Sequence, residues 1–256
     1  MEELLLGGER ALVTGAASNI GLAIARRLAK EGASVIGVDI DPAPAGLVKD
    51  RHDGVIDYFA CDLTNSEAHL VVLSEARKRF GCPSILVHSA APARHEADHV
   101  LTVSEEVFDK MMDVNVRAGF FLARSVCREV QARDVRGRLL FITSLHASVP
   151  RNLPHYSAAK AAQTMLVKEL ARAFGPAGIR VNAIAPGAIP GGGVDITLEA
   201  EKRIAAMIPM RRPGRPEEIA ATAIAMVCDR FTPYVTGCTI PVDGGLALHS
   251  WIPDPY

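Results

Sequence analysis

Short apolar runs alternate with amphipathic stretches along this chain. The strand-like runs are residues 11–13, 34–38, 85–87, 139–142 and 180–184. Helical periodicity covers residues 20–30 and a segment that passes through Tyr156. Strands spaced by helices join through right-handed crossovers into a parallel sheet, and two of the runs lack polar–apolar alternation, as strands covered on both faces do. The pattern predicts an α/β fold: one doubly wound, Rossmann-type domain over residues 1–256, with a central parallel sheet and helices on both faces.

Two segments are too rich in glycine and proline to form a regular element. One spans residues 43–54, before the third strand, and the other spans residues 186–193. Helical periodicity resumes only near Leu198. Because doubly wound sheets bind ligands beyond the carboxyl ends of their strands, the second segment is placed to cover a ligand. We predict a mobile substrate lid over residues 186–210.

The composition argues against several classes of function. Of the 256 residues 49% are hydrophobic, which is enough for a large core, and the formal net charge of −1 creates no global field for nucleic acid or an anionic membrane. The five cysteines lack the spacing of a disulfide framework or a zinc ribbon. No apolar run resembles a signal peptide or a membrane span. We expect a cytoplasmic protein that acts on a small molecule, without nucleic acid, membrane or metal.

Residues 14–21 read Thr-Gly-Ala-Ala-Ser-Asn-Ile-Gly, directly after the first strand and at the start of a helix. Gly15 and Gly21 stand where the backbone has to turn tightly and approach its neighbours closely. Asn19 occupies the place of a third glycine, and asparagine tolerates a positive φ. Such a turn allows the pyrophosphate of a dinucleotide to lie on the helix N-terminus, although a plain strand-to-helix turn has a similar sequence.

Asp39 strengthens the dinucleotide interpretation and predicts which dinucleotide is used. It ends the second strand, about 20 residues beyond the glycines, where a carboxylate binds the 2′-hydroxyl of the adenosine ribose. A 2′-phosphate at about 4 Å would be repelled by roughly 1 to 4 kcal/mol per charge pair, and no basic residue at 16–18 offsets that repulsion. The expected cofactor is therefore NAD. The alternative for Asp39 is a turn role, because Asp41 and Pro42 follow.

Tyr156 and Lys160 lie four residues apart and therefore share one face of a helix. A free tyrosine is a poor proton carrier at neutral pH, but a cation beside the phenolate stabilises its ionised form. Such a pair can take a proton from an alcohol or return it to a carbonyl. Ser144, at the end of a buried strand, can orient the substrate oxygen, and Asn115 can hold a water near Lys160. Taken singly, Ser144 also fits a turn residue and Asn115 a satisfied helix residue.

Together these motifs resemble the short-chain dehydrogenase/reductase family over nearly the whole chain. Further matching segments are Cys-Asp-Leu-Thr at 61–64, Asp-Val-Asn-Val at 113–116, Arg-Val-Asn-Ala-Ile-Ala-Pro-Gly at 180–187, Tyr-Val-Thr-Gly at 234–237 and Val-Asp-Gly-Gly at 242–245. The resemblance implies a catalytic tetrad of Asn115, Ser144, Tyr156 and Lys160. It also implies a homotetramer, with residues 103–130 and 156–174 at the subunit contacts.

The resemblance further implies a set of cofactor-binding residues at the ends of several strands. In that family Lys160 contacts the nicotinamide ribose and Asp62 the adenine. The full expected set is Gly15, Ser18, Asn19, Ile20, Gly21, Asp39, Asp62, Leu63, Ser89, Ala90, Ala91, Tyr156, Lys160, Pro186, Gly187 and Ile189. Two places depart from the family pattern: residues 88–91 read His-Ser-Ala-Ala rather than Asn-Asn-Ala-Gly, and Gly191 replaces a threonine that often contacts the carboxamide.

Two other functions stay open at this point. His95, Glu96 and His99 spell H-E-x-x-H, by which zinc peptidases place two imidazoles and a base on one helix. No further histidine follows at the spacing of the longer zinc signature, and in the resembling family this segment is a loop beside the substrate. A protein that binds NAD without turnover is the second alternative, although the intact tetrad argues against it.

Polar residues near the expected pocket indicate an oxygen-rich substrate. They are Arg94, His146, Arg151, Asn152 and His155. The sequences around His146 and His155 resemble sugar dehydrogenases of the family, although histidines at these places also fit ordinary rim residues. We expect NAD-linked transfer of a hydride between a secondary alcohol and a ketone, of the sugar or polyol class, with a 3-oxoacyl-thioester reductase as the alternative.

Overall fold

Seven parallel strands form one sheet in the order β3-β2-β1-β4-β5-β6-β7. This is seen in a computed structural model that describes residues 4–45, 47, 56–191 and 197–248. In chain order the strands are β1 (Arg10–Thr14), β2 (Ser34–Asp39), β3 (Ile56–Ala60), β4 (Ile85–His88), β5 (Arg138–Ile142), β6 (Arg180–Pro186) and β7 (Thr239–Val242). The predicted doubly wound α/β fold is confirmed. The five predicted runs correspond to β1, β2, β4, β5 and β6, whereas no run was assigned to β3 or β7.

Helices cover both faces of the sheet. They are α1 (Asn19–Lys30), α2 (Ala68–Phe80), α3 (Glu105–Met112), α4 (Gly119–Ala132), α5 (Pro154–Phe174), α6 (Leu198–Met207) and α7 (Pro216–Val227). Helices α1 and α7 pack together on one face, and α4 packs against both α2 and α5 on the other. Within the described part of the chain, no helix is both long and apolar enough to cross a membrane.

Neighbouring residues of each central strand belong to different cores. In β1, Leu12 lies in the core beneath α2, α4 and α5, whereas Ala11 and Val13 lie in the core beneath α1 and α7. Every residue of β4, β5 and β6 is buried. Burial on both faces explains why these runs show no polar–apolar alternation in the sequence.

The order of the strands creates the crevice in which such sheets bind ligands. The chain passes from β1 outwards to β2 and β3, and then returns to β4 on the other side of β1. The loops that follow β1 and β4 therefore leave the sheet in opposite directions, and a groove opens between them at the carboxyl edge. Of the predicted irregular segments, residues 46, 48–55 and 192–196 lie outside the described residues, while α6 begins at Leu198 as expected.

The opposite edge of the sheet is joined by an ion cluster. Arg138 and Arg180 begin β5 and β6, and both guanidinium groups contact the carboxylate of Asp229, at 2.5 and 3.0 Å. Glu9 pairs with Arg138 at 2.9 Å. Burial opposes ionisation of Asp229, yet the hydrogen bonds from Arg138 and Arg180 hold its pKa far below the usual range. The cluster lies at the end of the sheet away from the groove.

We predict that Asp229→Asn lowers the free energy of unfolding by about 2 to 4 kcal/mol at pH 7, because two nearly buried guanidinium groups lose their counter-charge. The native carboxylate has a lowered pKa, so its contribution is complete above about pH 4 and is lost as the pH falls further. Urea unfolding at several pH values measures this. The exposed Asp134→Asn serves as the control and should change stability by less than about 0.5 kcal/mol. Equal effects of the two substitutions would contradict the assignment.

Candidate active site

The turn after β1 brings backbone segments unusually close together. Gly15 has a φ of 72°, and a Cβ there would lie 2.7 Å from the Ala90 nitrogen of the neighbouring loop. A Cβ at Gly21 would lie only 1.9 Å from the Gly15 carbonyl oxygen. Both positions therefore need glycine. The close approach keeps this edge of the groove free of side chains, as a dinucleotide requires.

The N-terminus of α1 fits an anionic group. Ser18 is the N-cap residue but its side chain caps no backbone N–H, and the first turn carries no acidic residue. Asn19 adopts the positive φ expected of it, 46°, and its Oδ1 is buried without a hydrogen-bond partner. Unpaired N–H groups and the positive end of the helix dipole suit a pyrophosphate. A Cβ at Gly191 would lie 3.3 Å from the Asn19 side chain, so the segment after β6 begins beside this turn.

Negative charge concentrates at the end of β2. Asp39 accepts hydrogen bonds from the backbone nitrogens of Ala17 and Ile40, at 2.9 and 2.8 Å, which fix its carboxylate beside the glycine turn. The Tyr58 hydroxyl donates to the Asp41 carbonyl oxygen. Burial, with the added charges of Asp39 and Asp41, raises the pKa of Tyr58 to about 12. The carboxylates of Asp39 and Asp41 therefore both lie near the Tyr58 hydroxyl at the end of β2.

The remaining predicted cofactor residues lie at the carboxyl ends of other strands. Asp62 follows β3 and accepts two hydrogen bonds from Thr64, while the next residue, Leu63, is buried. Ser89, Ala90 and Ala91 follow β4, and Pro186, Gly187 and Ile189 end or follow β6. The structure therefore brings the predicted set to one edge of the sheet, in an arrangement that fits a dinucleotide.

Tyr156 and Lys160 lie near the start of α5, which begins at Pro154, a residue favoured in the first helical turn. Tyr156 is almost buried, and Lys160 Nζ lies 5.7 Å from the centre of its ring. Lys160 donates a hydrogen bond of 2.9 Å to the Ile142 carbonyl oxygen in β5. Burial, together with the nearby charge of Arg94, lowers the pKa of Lys160 to about 7. The helix thus presents a phenol and a buried amine to the end of β5.

Ser144 reaches the same place from the sheet. It follows β5, two residues beyond the carbonyl that binds Lys160, and it is nearly buried. Its Oγ accepts a hydrogen bond of 3.2 Å from the His146 backbone nitrogen, which orients the hydroxyl at the N-cap of a short 3-10 turn. The His146 ring meets the Tyr156 ring edge-on, with 6.3 Å between their centres. The short turn that begins at Ser144 therefore packs against the helix that carries Tyr156.

Asn115 lies in a π-helical turn, residues 113–118, between α3 and α4. It is fully buried, and its Nδ2 donates to the Met111 carbonyl oxygen at 3.0 Å. The backbone carbonyl oxygen of Asn115 accepts a hydrogen bond of 2.8 Å from Gln163 Nε2, one turn beyond Lys160 on α5. Asn115 Oδ1 and Gln163 Oε1 are both buried without partners. Sequence reasoning identified Asn115 but missed Gln163, whose only signal was a polar residue on the buried face of α5.

A chain of hydrogen bonds joins the cofactor loop to the Asn115 turn through His88. The Ala90 nitrogen donates to Thr14 Oγ1 at 3.3 Å, Thr14 donates to His88 Nδ1 at 2.9 Å, and His88 Nε2 donates to the Val114 carbonyl oxygen at 3.2 Å. The donors and acceptors are assigned in this way because the Val114 carbonyl oxygen can only accept, so His88 Nε2 carries the proton and Nδ1 of the neutral ring accepts from Thr14. Burial, aided by the charge of Lys160, lowers the pKa of His88 to about 4, so the ring is neutral. A Cβ at Gly119 would meet that ring at 2.7 Å.

The predicted substrate residues separate into two groups. Arg94 lies over the Tyr156 ring at 4.7 Å, His146 lies at its edge, and Arg151 pairs with Glu96 nearby. Burial lowers the pKa of His146, whose Nδ1 donates to the Val149 carbonyl oxygen. His155 differs, because the structure buries it completely and leaves both ring nitrogens without partners. His155 is therefore not exposed to a substrate in this structure, in contrast to the expectation, and Asp98 in the loop after β4 lies near it.

The H-E-x-x-H segment is not helical. His95, Glu96 and His99 lie in a stretch of turns between β4 and α3, and Glu96 pairs with Arg151. His99 Nδ1 accepts a hydrogen bond from the Leu101 nitrogen. A zinc peptidase site needs both imidazoles on one helical face. The structural premise of the peptidase alternative is absent here.

Comparisons with known proteins agree with this geometry. A family model described as enoyl-(acyl carrier protein) reductase matches residues 15–247. The chain is 33% identical to glucose 1-dehydrogenase 2 of Bacillus subtilis, over 95% of this chain and 96% of that protein. It is 33% identical to 2-dehydro-3-deoxy-D-gluconate 5-dehydrogenase of Pseudoalteromonas atlantica, over 96% and 98%. It is 34% identical to a 3-oxoacyl-(acyl-carrier-protein) reductase of Vibrio cholerae, over 95% and 99%.

Solved structures give the same result. A protein of Agrobacterium tumefaciens, provisionally named a 2-deoxy-D-gluconate 3-dehydrogenase and crystallised with bound NADP, superposes with a TM-score of 0.87 at 31% identity, over 97% of this chain and all of that one. A short-chain type dehydrogenase/reductase of Mycobacterium marinum gives 0.86 at 29% identity, over 95% and 98%. These similarities span nearly the whole sequence and include the sheet and the loops of the groove. The chain is an oxidoreductase that belongs to the short-chain dehydrogenase/reductase family.

Proposed function

We propose that this protein transfers a hydride between NAD and a secondary alcohol or ketone of the sugar or polyol class, with Tyr156 as general acid and base. The observation that carries the proposal is the hydrogen bond that joins Lys160, one turn after Tyr156 on α5, to Ile142 at the end of β5, two residues before Ser144. The glycine turn shaped for a dinucleotide lies at the same edge of the sheet. Glucose and gluconate-type dehydrogenases among the relatives support the substrate class.

The side chains divide the proton chemistry among them. When bound, the nicotinamide takes or supplies the hydride. The Ser144 hydroxyl orients the substrate oxygen, and the Tyr156 oxygen takes its proton during oxidation or returns it during reduction. The Lys160 ammonium stabilises the phenolate while its hydrogen bond to Ile142 holds it in place. The Asn115 turn is bonded to the buried face of α5 through Gln163, where the unpaired oxygens of Asn115 and Gln163 provide acceptors for a water near Lys160.

The preference for NAD rests on the charges at the end of β2. Asp39 is held beside the glycine turn by two backbone N–H groups, and Asp41 adds a second carboxylate. A 2′-phosphate would meet both charges, and residues 16–18 provide no cation to balance them. A relative with 31% identity was crystallised with NADP, so similarity alone does not predict NAD, and the preference is inferred from the local charge.

A 3-oxoacyl-thioester reductase is the second candidate, supported by the matching family model and by the relative from Vibrio cholerae. It would use the same four residues in the reductive direction. Comparison of kcat/KM for a 3-oxoacyl thioester with kcat/KM for sugars, polyols and hydroxy acids separates the two. A third function, NAD binding without turnover, requires tight NADH binding and no reaction with any member of the same panel.

We predict that Tyr156→Phe lowers kcat by about 10² to 10⁴, because only the proton-transferring hydroxyl is removed. The dissociation constant for NADH should remain within about threefold of the native value, as measured by the fluorescence of the bound cofactor. Tyr234→Phe is the matched control, because the Tyr234 phenol is fully exposed, and it should retain full activity. Undiminished turnover by the Tyr156 variant would refute the mechanism.

We predict that the protein binds NADH about tenfold to a thousandfold more tightly than NADPH. Asp39→Asn should narrow that ratio, because the amide can still accept from Ala17 but carries no charge. Fluorescence titration with both cofactors measures this and needs no substrate. Asp62→Asn, at the expected adenine site, should weaken both cofactors alike. Equal or tighter binding of NADPH by the native protein would show that the cofactor assignment is wrong.

We predict that Lys160→Met changes the pH dependence of stability. The pKa of Lys160 is about 7 in the folded protein, whereas a lysine in the unfolded chain has a pKa of 10.5. Between these two pH values the unfolded chain therefore holds a proton that the folded protein lacks. Stability from this group therefore rises with pH across that window, by up to about tenfold in the unfolding constant per pH unit, and is constant below it. The variant should lose this slope.

Urea unfolding of the cofactor-free protein between pH 6.5 and 9.5 tests that expectation. Lys168→Met is the matched control, since Lys168 is exposed on the same helix and should leave the slope unchanged. A difference between native protein and Lys160→Met that does not vary with pH would mean that Lys160 stays charged in the fold.

A further inference from the structure

Two basic side chains lie close to the Tyr156 ring. The Arg94 guanidinium lies over this ring at 4.7 Å, and Lys160 Nζ lies 5.7 Å from the centre of the same ring. Among the described residues, neither Arg94 nor Lys160 forms an ion pair with a carboxylate. Glu96 pairs with Arg151, and Asp98 has a buried oxygen and lies near His155. The positive charge at Tyr156 therefore lacks a full counter-charge.

Arg94 contributes the part of this charge that a ligand can reach. It is exposed, and apart from its stacking on Tyr156 it has no hydrogen bond or ion pair with any residue in the described ranges. Lys160, in contrast, is buried and bonded to the Ile142 carbonyl oxygen. A stacked guanidinium is held in position by the ring while its N–H groups remain free to donate. Arg94 is thus an oriented donor with no acceptor in the described structure.

Because Arg94 stacks on Tyr156, a group that accepts a hydrogen bond from Arg94 lies close to the substrate-binding position at Tyr156. A molecule that hydrogen-bonds to the Tyr156 hydroxyl lies beside a guanidinium stacked on the same ring. A carboxylate matches the planar fork of arginine with two charged oxygens and two parallel hydrogen bonds, whereas a neutral hydroxyl or thioester carbonyl offers a single uncharged acceptor oxygen. The arrangement therefore favours a substrate that carries its negative charge a few bonds from the reacting carbon.

We propose that Arg94 binds a carboxylate of the substrate, and that the substrate is a hydroxy acid or the corresponding keto acid, such as a sugar acid. This inference rests on the proposed function, because it assumes that the reacting oxygen meets Tyr156. It narrows the substrate class from sugars and polyols in general to their acids. It also assigns Arg94 as the residue that discriminates a carboxylate from a neutral group of the same shape.

Matched pairs of acids and primary amides test the proposal. The pairs are lactate with lactamide, 3-hydroxybutyrate with 3-hydroxybutyramide, and D-gluconate with D-gluconamide. For the best pair, we expect kcat/KM with the acid to exceed that with the amide by about tenfold to a hundredfold, as for a charged hydrogen-bonded pair. Arg94→Gln should bring the ratio close to 1, and Arg94→Lys should give an intermediate ratio. Arg26→Gln removes an exposed arginine on α1 and should preserve the native ratio.

Several outcomes overturn the proposal while leaving the proposed function intact. Equal turnover of acid and amide by the native protein is one, and preferred turnover of a neutral polyol or of a 3-oxoacyl thioester is another. A third outcome is a shifted pH–rate profile in Arg94→Gln with the acid-to-amide ratio unchanged. That result would mean that Arg94 acts on Tyr156 and not on the substrate.

A binding measurement keeps the proposal testable if no substrate in the panel reacts. With NADH present, malonate should raise the Tm of the native protein progressively as its concentration exceeds the Kd, malonamide should not, and Arg94→Gln should abolish the effect. Stabilisation by malonate without turnover of any alcohol would support the anion site and reject the proposed function. Absence of both turnover and stabilisation would reject the two together.

Discussion

The hydrogen bond from Lys160 to the Ile142 carbonyl oxygen determines most of the site's geometry. It joins α5 to the carboxyl end of β5, and so it sets the distance between the helix that carries Tyr156 and the strand that leads to Ser144. A buried amine is costly to desolvate, and this cost appears as the lowered pKa of Lys160. Three neighbours of the Lys160 amine reduce this desolvation cost and are held in place by their contact with it. They are the Ile142 carbonyl oxygen, the Tyr156 ring and the neutral His88 ring.

The two edges of the parallel sheet perform different tasks. The amino ends of β5 and β6 are tied together by Arg138, Arg180 and Asp229, which form a closed set of ion pairs without any free donor directed at a ligand. The carboxyl ends carry glycines at contact distance, unpaired helix N–H groups and several buried acceptors without partners. Unsatisfied polar groups are expensive, so those of Asn19, Asn115 and Gln163, close to the predicted cofactor and catalytic residues, indicate where a bound molecule or water completes the structure.

Much of the fold and the core of the site could be predicted from the sequence, because they depend on local patterns. Apolar runs without alternation predicted the buried strands, and the residue type at Asn19 predicted its positive φ. The bond from Gln163 to the Asn115 carbonyl could not be predicted, since it depends on a π-helical turn whose extra residue leaves helical periodicity almost unchanged. The burial of His155 could not be predicted either, because it depends on how the loop after β4, which carries Asp98, packs against the start of α5.

Histidine at position 88, where the family pattern has asparagine, also limits which residue can occupy position 119 at the start of α4. A methyl group there would overlap the His88 ring at 2.7 Å, and that ring has no freedom to move because both of its nitrogens are bonded. The two positions are therefore sterically coupled in this structure. A larger residue at position 119 needs a residue smaller than histidine at position 88, or the loss of the hydrogen bonds that hold the His88 ring.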